Sequence, residues 1–168
     1  MISAYKSGII HIGDLPLGGH YPIRVQSMTN TNTNDIEATV AQTIRLAEAG
    51  CEMVRITAQG ITEAQNLALI RKNLHARGIK IPLIADIHFN PHAAEVAAAI
   101  VEKVRINPGN YADKRESKQA MSAREYDDEL ERIAQRLRPL LNICRQHGTA
   151  IRIGTNHGSL SSRIMDRY

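Results

Sequence analysis

Arg55, Arg105 and Arg152 each lie between two branched aliphatic residues in the sequence, which suggests chemistry with an anion. Side chains alternate across a β-strand, so the aliphatic neighbours take one face and the arginine takes the other. A guanidinium turned into a protein is costly without an anionic partner, and its fork of donors matches phosphate oxygens in bidentate pairs. The three arginines therefore predict a site for a multiply charged anion.

An alternative for these arginines is a set of internal salt bridges. Glu52 and Asp86 are the acids near the arginine segments, and either could neutralise a guanidinium. Arg24 has a similar aliphatic context, but it comes at the start of its segment. We therefore expect Arg24 to be structural, at the end away from the anion site.

Polar residues at the ends of the same segments add to the candidate site. Asp86 and His88 are two apart, so in an extended segment they share one face and could act as an acid/base or ligand-orienting pair. The alternative is a turn-stabilising aspartate beside an exposed histidine. Asn107 follows another arginine segment, and Asn156 lies in a loop, 155–159, whose hydroxyl, amide and backbone donors could cradle phosphate.

The elements that position these residues alternate between strand and helix. This order predicts an α/β fold of about five parallel strands joined by right-handed crossovers, preceded by a β-hairpin over 8–23. The predicted strands are 23–28, 52–57, 81–87, 103–107 and 150–154. The first predicted helix is 36–49, the second is capped by Thr62 and ends near 76, and the third begins near Pro91. The last predicted helix is 124–147, with a kink or break at Pro139.

The chain length bears on which parallel fold this is. No G-x-G-x-x-G fingerprint follows the first strand and no Walker A loop is present, which favours a barrel over a doubly wound sheet. A (β/α)8 barrel takes about 250 residues, and this chain has 168. We therefore predict a partial TIM-type barrel.

Composition excludes several classes of function. The chain is 43% hydrophobic and 23% charged, which is typical of a packed protein rather than a disordered one. The net charge of +4 suits an anionic ligand and nucleic acid equally, whereas 4% aromatic residues argue against base stacking with single-stranded nucleic acid. No apolar run approaches the roughly 18 residues of a membrane span. Cys51 and Cys144 form no C-x-x-C pair, so we expect two small core residues and a cytoplasmic protein without metal ligands.

Four segments resemble one enzyme family, in the same order and over nearly the whole chain. They are VQSMTNT at 25–31, DIHF at 86–89, VRINPGN at 104–110 and IRIG at 151–154. The family is the iron–sulfur enzyme 4-hydroxy-3-methylbut-2-enyl diphosphate synthase, of the methylerythritol phosphate route to isoprenoids. The stretch between Asn110 and Thr149 resembles the longer form of this family.

The resemblance implies a definite activity. Members bind 2-C-methyl-D-erythritol 2,4-cyclodiphosphate in an N-terminal (β/α)8 barrel and open it reductively with two electrons from ferredoxin or flavodoxin, with loss of water. A C-terminal domain holds a [4Fe-4S] cluster on three cysteines and a glutamate. The substrate-binding positions implied here are Arg55, Arg105, Asn107, Arg152 and Asn156, with Asp86 and His88 beside the substrate as catalytic candidates.

We accordingly expect residues 1–168 to form the N-terminal part of the barrel domain. The remaining strands, the insert domain and the iron–sulfur domain, with its cluster ligands, are expected to be absent, so the segment alone should be inactive. Open sheet edges then predict self-association, as in a homo-oligomer, or partial disorder near the C-terminus. A non-redox phosphate-binding barrel resembling dihydropteroate synthase is the alternative, and nucleic-acid binding through the basic residues of 114–118 is a weaker one.

Overall fold

The computed structural model describes residues 6–112 and 122–155, and within them the α/β order predicted from the sequence is confirmed. A two-stranded hairpin precedes alternating strands and helices. The elements are β1 Ile10–Ile12, β2 Leu15–Leu17, β3 Gln26–Met28, α1 Ile36–Glu48, β4 Met53–Thr57, α2 Ile61–Ala76, β5 Leu83–Asp86, α3 Pro91–Ala98, β6 Lys103–Ile106, α4 Pro108–Tyr111, α5 Ala123–His147 and β7 Ala150–Ile153.

The second sheet is parallel throughout, in the order β3-β4-β5-β6-β7. Its helices all pack on one face, where Val54, Ile56 and Val104 meet apolar residues of α1, α2, α3 and α5. A doubly wound sheet would carry helices on both faces, so this arrangement is that of a barrel wall. Among the described residues the wall is not closed, because β3 and β7 each have a neighbour on one side only.

Local sequence explains where most of the helices begin. The Asp35 side chain accepts from the Ala38 amide at 3.0 Å at the start of α1, and Ser122 forms a capping box with Glu125 at the start of α5. Helix α2 starts two residues earlier than predicted, with Gly60 instead of Thr62 as its N-cap, because the Glu63 carboxylate accepts from the backbone N–H of Gly60 at 2.9 Å.

Two predicted features differ in the structure. The strand expected over 23–28 begins only at Gln26, because the Val25 N–H donates to the Glu52 carboxylate at 2.8 Å instead of extending the ladder. Of the kink or break predicted at Pro139, the break does not occur, because helix α5 is continuous from Ala123 to His147. Its buried residues Leu140 and Cys144 belong to the outer core, and this packing holds the helix across the hydrogen bond that proline cannot make.

The opposite face of the sheet, here called the inner face, is covered at its amino-terminal end by the hairpin. Ile12 is fully buried against Met53 and Ile84, with Leu15 and Leu17 packed around them. The hairpin therefore closes the lower end of the inner face and leaves the carboxyl-terminal end, the mouth, for polar residues.

Replacing Ile12 with alanine tests this role of the hairpin. We expect the free energy of unfolding to fall by about 2–4 kcal/mol, because a fully buried side chain leaves a cavity. Urea denaturation measures it, with Ile10→Ala as the matched control on the same strand, where the side chain is 46% exposed. Equal losses for the two variants would contradict the packing described here.

Candidate anion-binding site

The strand register arranges the inner face into layers. Partners across neighbouring strands point to the same face, so each row of partners forms one layer. The upper layer, at the mouth, consists of Thr57, Asp86, Arg105 and Arg152. The lower layer, one step toward the hairpin, consists of Met28, Arg55, Ile84, Lys103 and Ala150.

Asp86 lies at the centre of the charged residues. Its side chain is fully buried and accepts from Arg55 Nη2 at 2.5 Å and from Arg105 Nη1 at 3.3 Å. The internal salt bridges weighed as an alternative thus exist for two of the three arginines. A single carboxylate between two guanidiniums fixes their positions but neutralises only one of them.

Glu52, the other acid considered for these arginines, is engaged at the far end of the sheet. It pairs with Arg24 at 2.7 Å, and Arg24 also donates to the Pro16 carbonyl at 2.8 Å. Backbone donation from Val25 and the Arg24 guanidinium lower the pKa of Glu52. Arg24 therefore joins the hairpin to the sheet, as expected for a structural arginine.

Arg105 is held from a second side by Gly154, a residue that the sequence reasoning passed over. Arg105 Nη2 donates to the Gly154 carbonyl at 2.7 Å. A Cβ at position 154 would overlap the Arg105 guanidinium, so only glycine allows this approach. The available signal was the glycine immediately after β7, which ends level with the end of β6.

Arg152 differs from the other two arginines. It occupies the upper layer on the edge strand β7, it is exposed, and it makes no side-chain hydrogen bond with another described residue. Arg55 has a buried Nε that also lacks a partner in the described ranges. Among the described residues, guanidinium donors thus outnumber the acceptors that they contact at the mouth.

His88 and Asp86 lie together, as their spacing predicts. His88 Nε2 is 3.5 Å from Asp86 Oδ2, and the side chain is 33% exposed, with Phe89 as its ring neighbour at 5.9 Å between centroids. Because Asp86 is buried beneath the arginines, His88 is the member of the pair that a ligand can reach. The histidine can exchange a proton with a ligand while Asp86 orients the ring.

The structure describes one of the two asparagines that were predicted to contact the substrate. Asn107 is 3% exposed, and its side-chain oxygen accepts from the Gly109 amide at 3.2 Å as the cap of α4. Asn156 lies outside the described residues, and so do the other residues of 156–159 and the basic residues at 114–118.

The sequence reasoning also missed Lys103. This lysine is 7% exposed and lies in the lower layer, two residues before Arg105 on the same face of β6. Burial, together with the nearby positive charges of Arg152 and Arg55, lowers its pKa. The period of two along a strand was the signal that could have found it.

The mouth therefore carries a surplus of positive charge. Arg55, Lys103, Arg105 and Arg152 are four cationic side chains, and Asp86 is their one carboxylate among the described residues of the two layers. Such an arrangement favours a bound polyanion, because the anion would complete the charge balance that the protein leaves open.

A cavity of about 590 Å³ lies at the opposite end of the sheet, near the hairpin turn. Its arginine already has an acidic partner, since Arg71 pairs with Glu102 at 2.8 Å and donates to the Ile100 carbonyl at 2.7 Å. Its position at the amino ends of the strands is the stability face of a barrel rather than the ligand face. We therefore place the functional site at the mouth.

The cysteines do not fit an iron–sulfur cluster. Cys144 is buried, which raises the pKa of its thiol to about 11, and Cys51 is half-buried in the connection between α1 and β4. Cluster ligation needs several thiolates converging on one point. Within 6–112 and 122–155 no group of three or more His, Cys, Asp or Glu side chains could hold a metal, and no helix there has the length and apolarity to cross a bilayer.

Fold and site together define a (β/α)-barrel wall with basic residues at its mouth, and comparison with known proteins agrees on the barrel fold. The family model described as the GcpE TIM-barrel domain matches residues 7–168, so the chain belongs to this family.

Relatives in several bacteria share the name 4-hydroxy-3-methylbut-2-en-1-yl diphosphate synthase (flavodoxin). The protein of Parabacteroides distasonis is 61% identical over 165 residues, which cover 97% of this chain. That of Bacteroides fragilis is 56% identical over 168 residues and 99% of this chain, and that of Leptospira interrogans is 48% identical over 168 residues and 97% of it. The chain spans about a quarter of the length of these relatives, 27%, 27% and 25% respectively.

Replacing Asp86 with asparagine tests its central place. We expect a loss of about 3 kcal/mol in the free energy of unfolding, because two partly buried guanidiniums lose their counterion. Added pyrophosphate should restore more stability to this variant than to the parent protein. Glu37→Gln, which breaks the exposed Arg77 pair, is the control and should cost about 0.5 kcal/mol. Similar losses for both variants would contradict the account.

Proposed function

We propose that this chain forms the diphosphate-binding wall of a 4-hydroxy-3-methylbut-2-en-1-yl diphosphate synthase. The observation that supports it most is the cluster of cations around Asp86 at the mouth of a barrel wall, in a chain of the GcpE TIM-barrel family. The proposed substrate is 2-C-methyl-D-erythritol 2,4-cyclodiphosphate, whose cyclic diphosphate is a compact polyanion. The proposed reaction is its reductive opening with two electrons and loss of water.

The arginines are placed to converge on one such anion. They come from β4, β6 and β7, and strands lie about 4.8 Å apart, so their backbones span roughly 14 Å. Long side chains can close that distance to a small ligand from three directions. Since Asp86 already holds Arg55 and Arg105, less conformational entropy is lost when the diphosphate binds.

His88 is the proposed proton-transfer residue of this wall. Loss of water from the substrate requires that a departing hydroxyl group receive a proton, and His88 is the reachable titratable group beside the arginines. In the proposed step His88 gives its proton to the leaving oxygen, and Asp86 keeps its contacts with Arg55 and Arg105.

Asn107 and Asn156 remain proposed substrate contacts. The oxygen of Asn107 already accepts from Gly109, so its amide nitrogen would be the atom that meets the substrate. The domain assignment likewise stays a proposal, with residues 1–168 as the N-terminal part of the barrel domain and with the other strands, the insert and the iron–sulfur domain supplied by sequence outside it.

The described residues offer no ligand set for the [4Fe-4S] cluster that the resemblance implies, so no step is assigned to it here. Two electrons would come from flavodoxin, which the relatives' names include, or from ferredoxin. We propose a cytoplasmic homo-oligomer with neither nucleic-acid nor membrane partners. The dihydropteroate-synthase-like alternative is not favoured, because the family and its relatives point to the synthase.

Arg105→Ala tests the proposed substrate. In the protein at its natural full length, we expect affinity for the cyclic diphosphate to fall by about 10- to 100-fold, because charge-assisted hydrogen bonds to one guanidinium are lost. Titration calorimetry measures it, with Arg77→Ala as the control, since Arg77 pairs with Glu37 on the exposed helical side.

The same titrations separate the synthase from a general phosphate-binding barrel. Preference of the parent protein for the cyclic diphosphate over inorganic phosphate supports the proposed function. Equal affinity for both ligands, or cyclic diphosphate binding that survives Arg105→Ala unchanged, would overturn it.

A further inference from the structure

Lys103 is a buried residue whose side chain has no ion pair with any residue of 6–112 or 122–155. It is 93% buried, as its 7% exposure shows, and it makes no side-chain hydrogen bond or ion pair with any residue that the structure describes. Buried lysines in proteins are usually paired, because an ammonium taken out of water loses several kcal/mol of hydration. An unpaired lysine on the inner face of the site therefore needs an explanation.

The neighbours of Lys103 increase this cost. In the lower layer its row contains Ile84 on one side and Ala150 on the other, and the hairpin below presents Ile12, Leu15 and Leu17. The charged groups that face it from the packed strands are Arg55 on β4, Asp86 on β5, Arg105 on β6 and Arg152 on β7. The one acid among these groups is already bound to two arginines.

We propose that Lys103 is the innermost cation of the anion site and that its ammonium donates directly to the deepest oxygen of the bound diphosphate. This inference rests on the proposed function and extends it with a residue that the arginine pattern does not include. The arginines contact the diphosphate at the mouth of the sheet. Lys103 contacts it from the lower layer, which lies between the arginines and the hydrophobic hairpin.

The arrangement also couples binding to protonation. In the absence of an anion, burial and two neighbouring guanidiniums lower the pKa of Lys103, and an anion in contact with it raises that pKa again. The lysine therefore strengthens binding only while it is protonated. An arginine guanidinium is not deprotonated in proteins, so the neighbouring arginines do not imitate this alkaline titration.

The test uses Lys103→Met, which keeps the side-chain length and removes the charge, in the protein at its natural full length. The probes are inorganic pyrophosphate and the cyclic diphosphate, titrated by calorimetry at about pH 7. We expect affinity for both to fall about 10- to 100-fold. Lys72→Met, at an exposed position of α2, is the matched control and should bind as the parent does.

Two further readouts separate a ligand contact from a merely structural lysine. Without anion, Lys103→Met should be as stable as the parent protein or more stable, since it removes an unpaired buried charge, whereas a structural lysine would cost stability. The ratio of parent to variant affinity should also approach one as the pH rises through the titration of Lys103. If Lys103→Met does not fold, Lys103→Gln gives the same two comparisons.

The outcomes distinguish this inference from the function on which it rests. One outcome is that the parent protein binds the cyclic diphosphate, Arg105→Ala loses this binding, and Lys103→Met binds both probes as tightly as the parent. In that case Lys103 is not a ligand contact, and the proposed function stands. If the parent protein binds neither probe, the proposed function fails and Lys103 fails with it.

Discussion

The carboxylate of Asp86, shared between Arg55 and Arg105, is the interaction on which the site depends. It lies at the end of a fully buried strand and is itself buried, so its oxygens need hydrogen-bond partners, which Arg55 and Arg105 supply. The two guanidiniums carry two positive charges against the single negative charge of this carboxylate, so one positive charge is not neutralised. That remainder, with Arg152 and Lys103, makes the mouth a place where a second anion is favoured.

The rest of the fold keeps this charged group in position. Helices on the outer face hold the strands in register, and the register brings Arg105 level with both Asp86 and Arg152. The hairpin seals the lower end of the inner face with aliphatic side chains. Water is thereby kept from beneath the cations, which strengthens their attraction for a ligand that enters from the mouth. Gly154 completes the arrangement by letting Arg105 lie against the backbone of the neighbouring strand.

Much of this was predictable from sequence because it follows from the period of a strand. The alternation of aliphatic residues with Arg55 and Arg105 predicted a buried outer face and a polar inner face of the sheet. The spacing of Asp86 and His88 predicted that these two side chains lie together. Sharing of one carboxylate by two arginines was not predictable, since it depends on which strands become neighbours. Lys103 was not predicted as a site residue because a lysine at the start of a strand is usually solvent-exposed. Its burial becomes evident only once the hairpin is placed over this end of the sheet.

A crystal structure of the protein at its natural full length with 2-C-methyl-D-erythritol 2,4-cyclodiphosphate would test the central claim most directly. We predict diphosphate oxygens within about 3 Å of the guanidiniums of Arg55, Arg105 and Arg152, with the Asp86 ion pairs retained. A diphosphate bound instead in the cavity beside Arg71 and His147, at the opposite end of the sheet, would contradict the account.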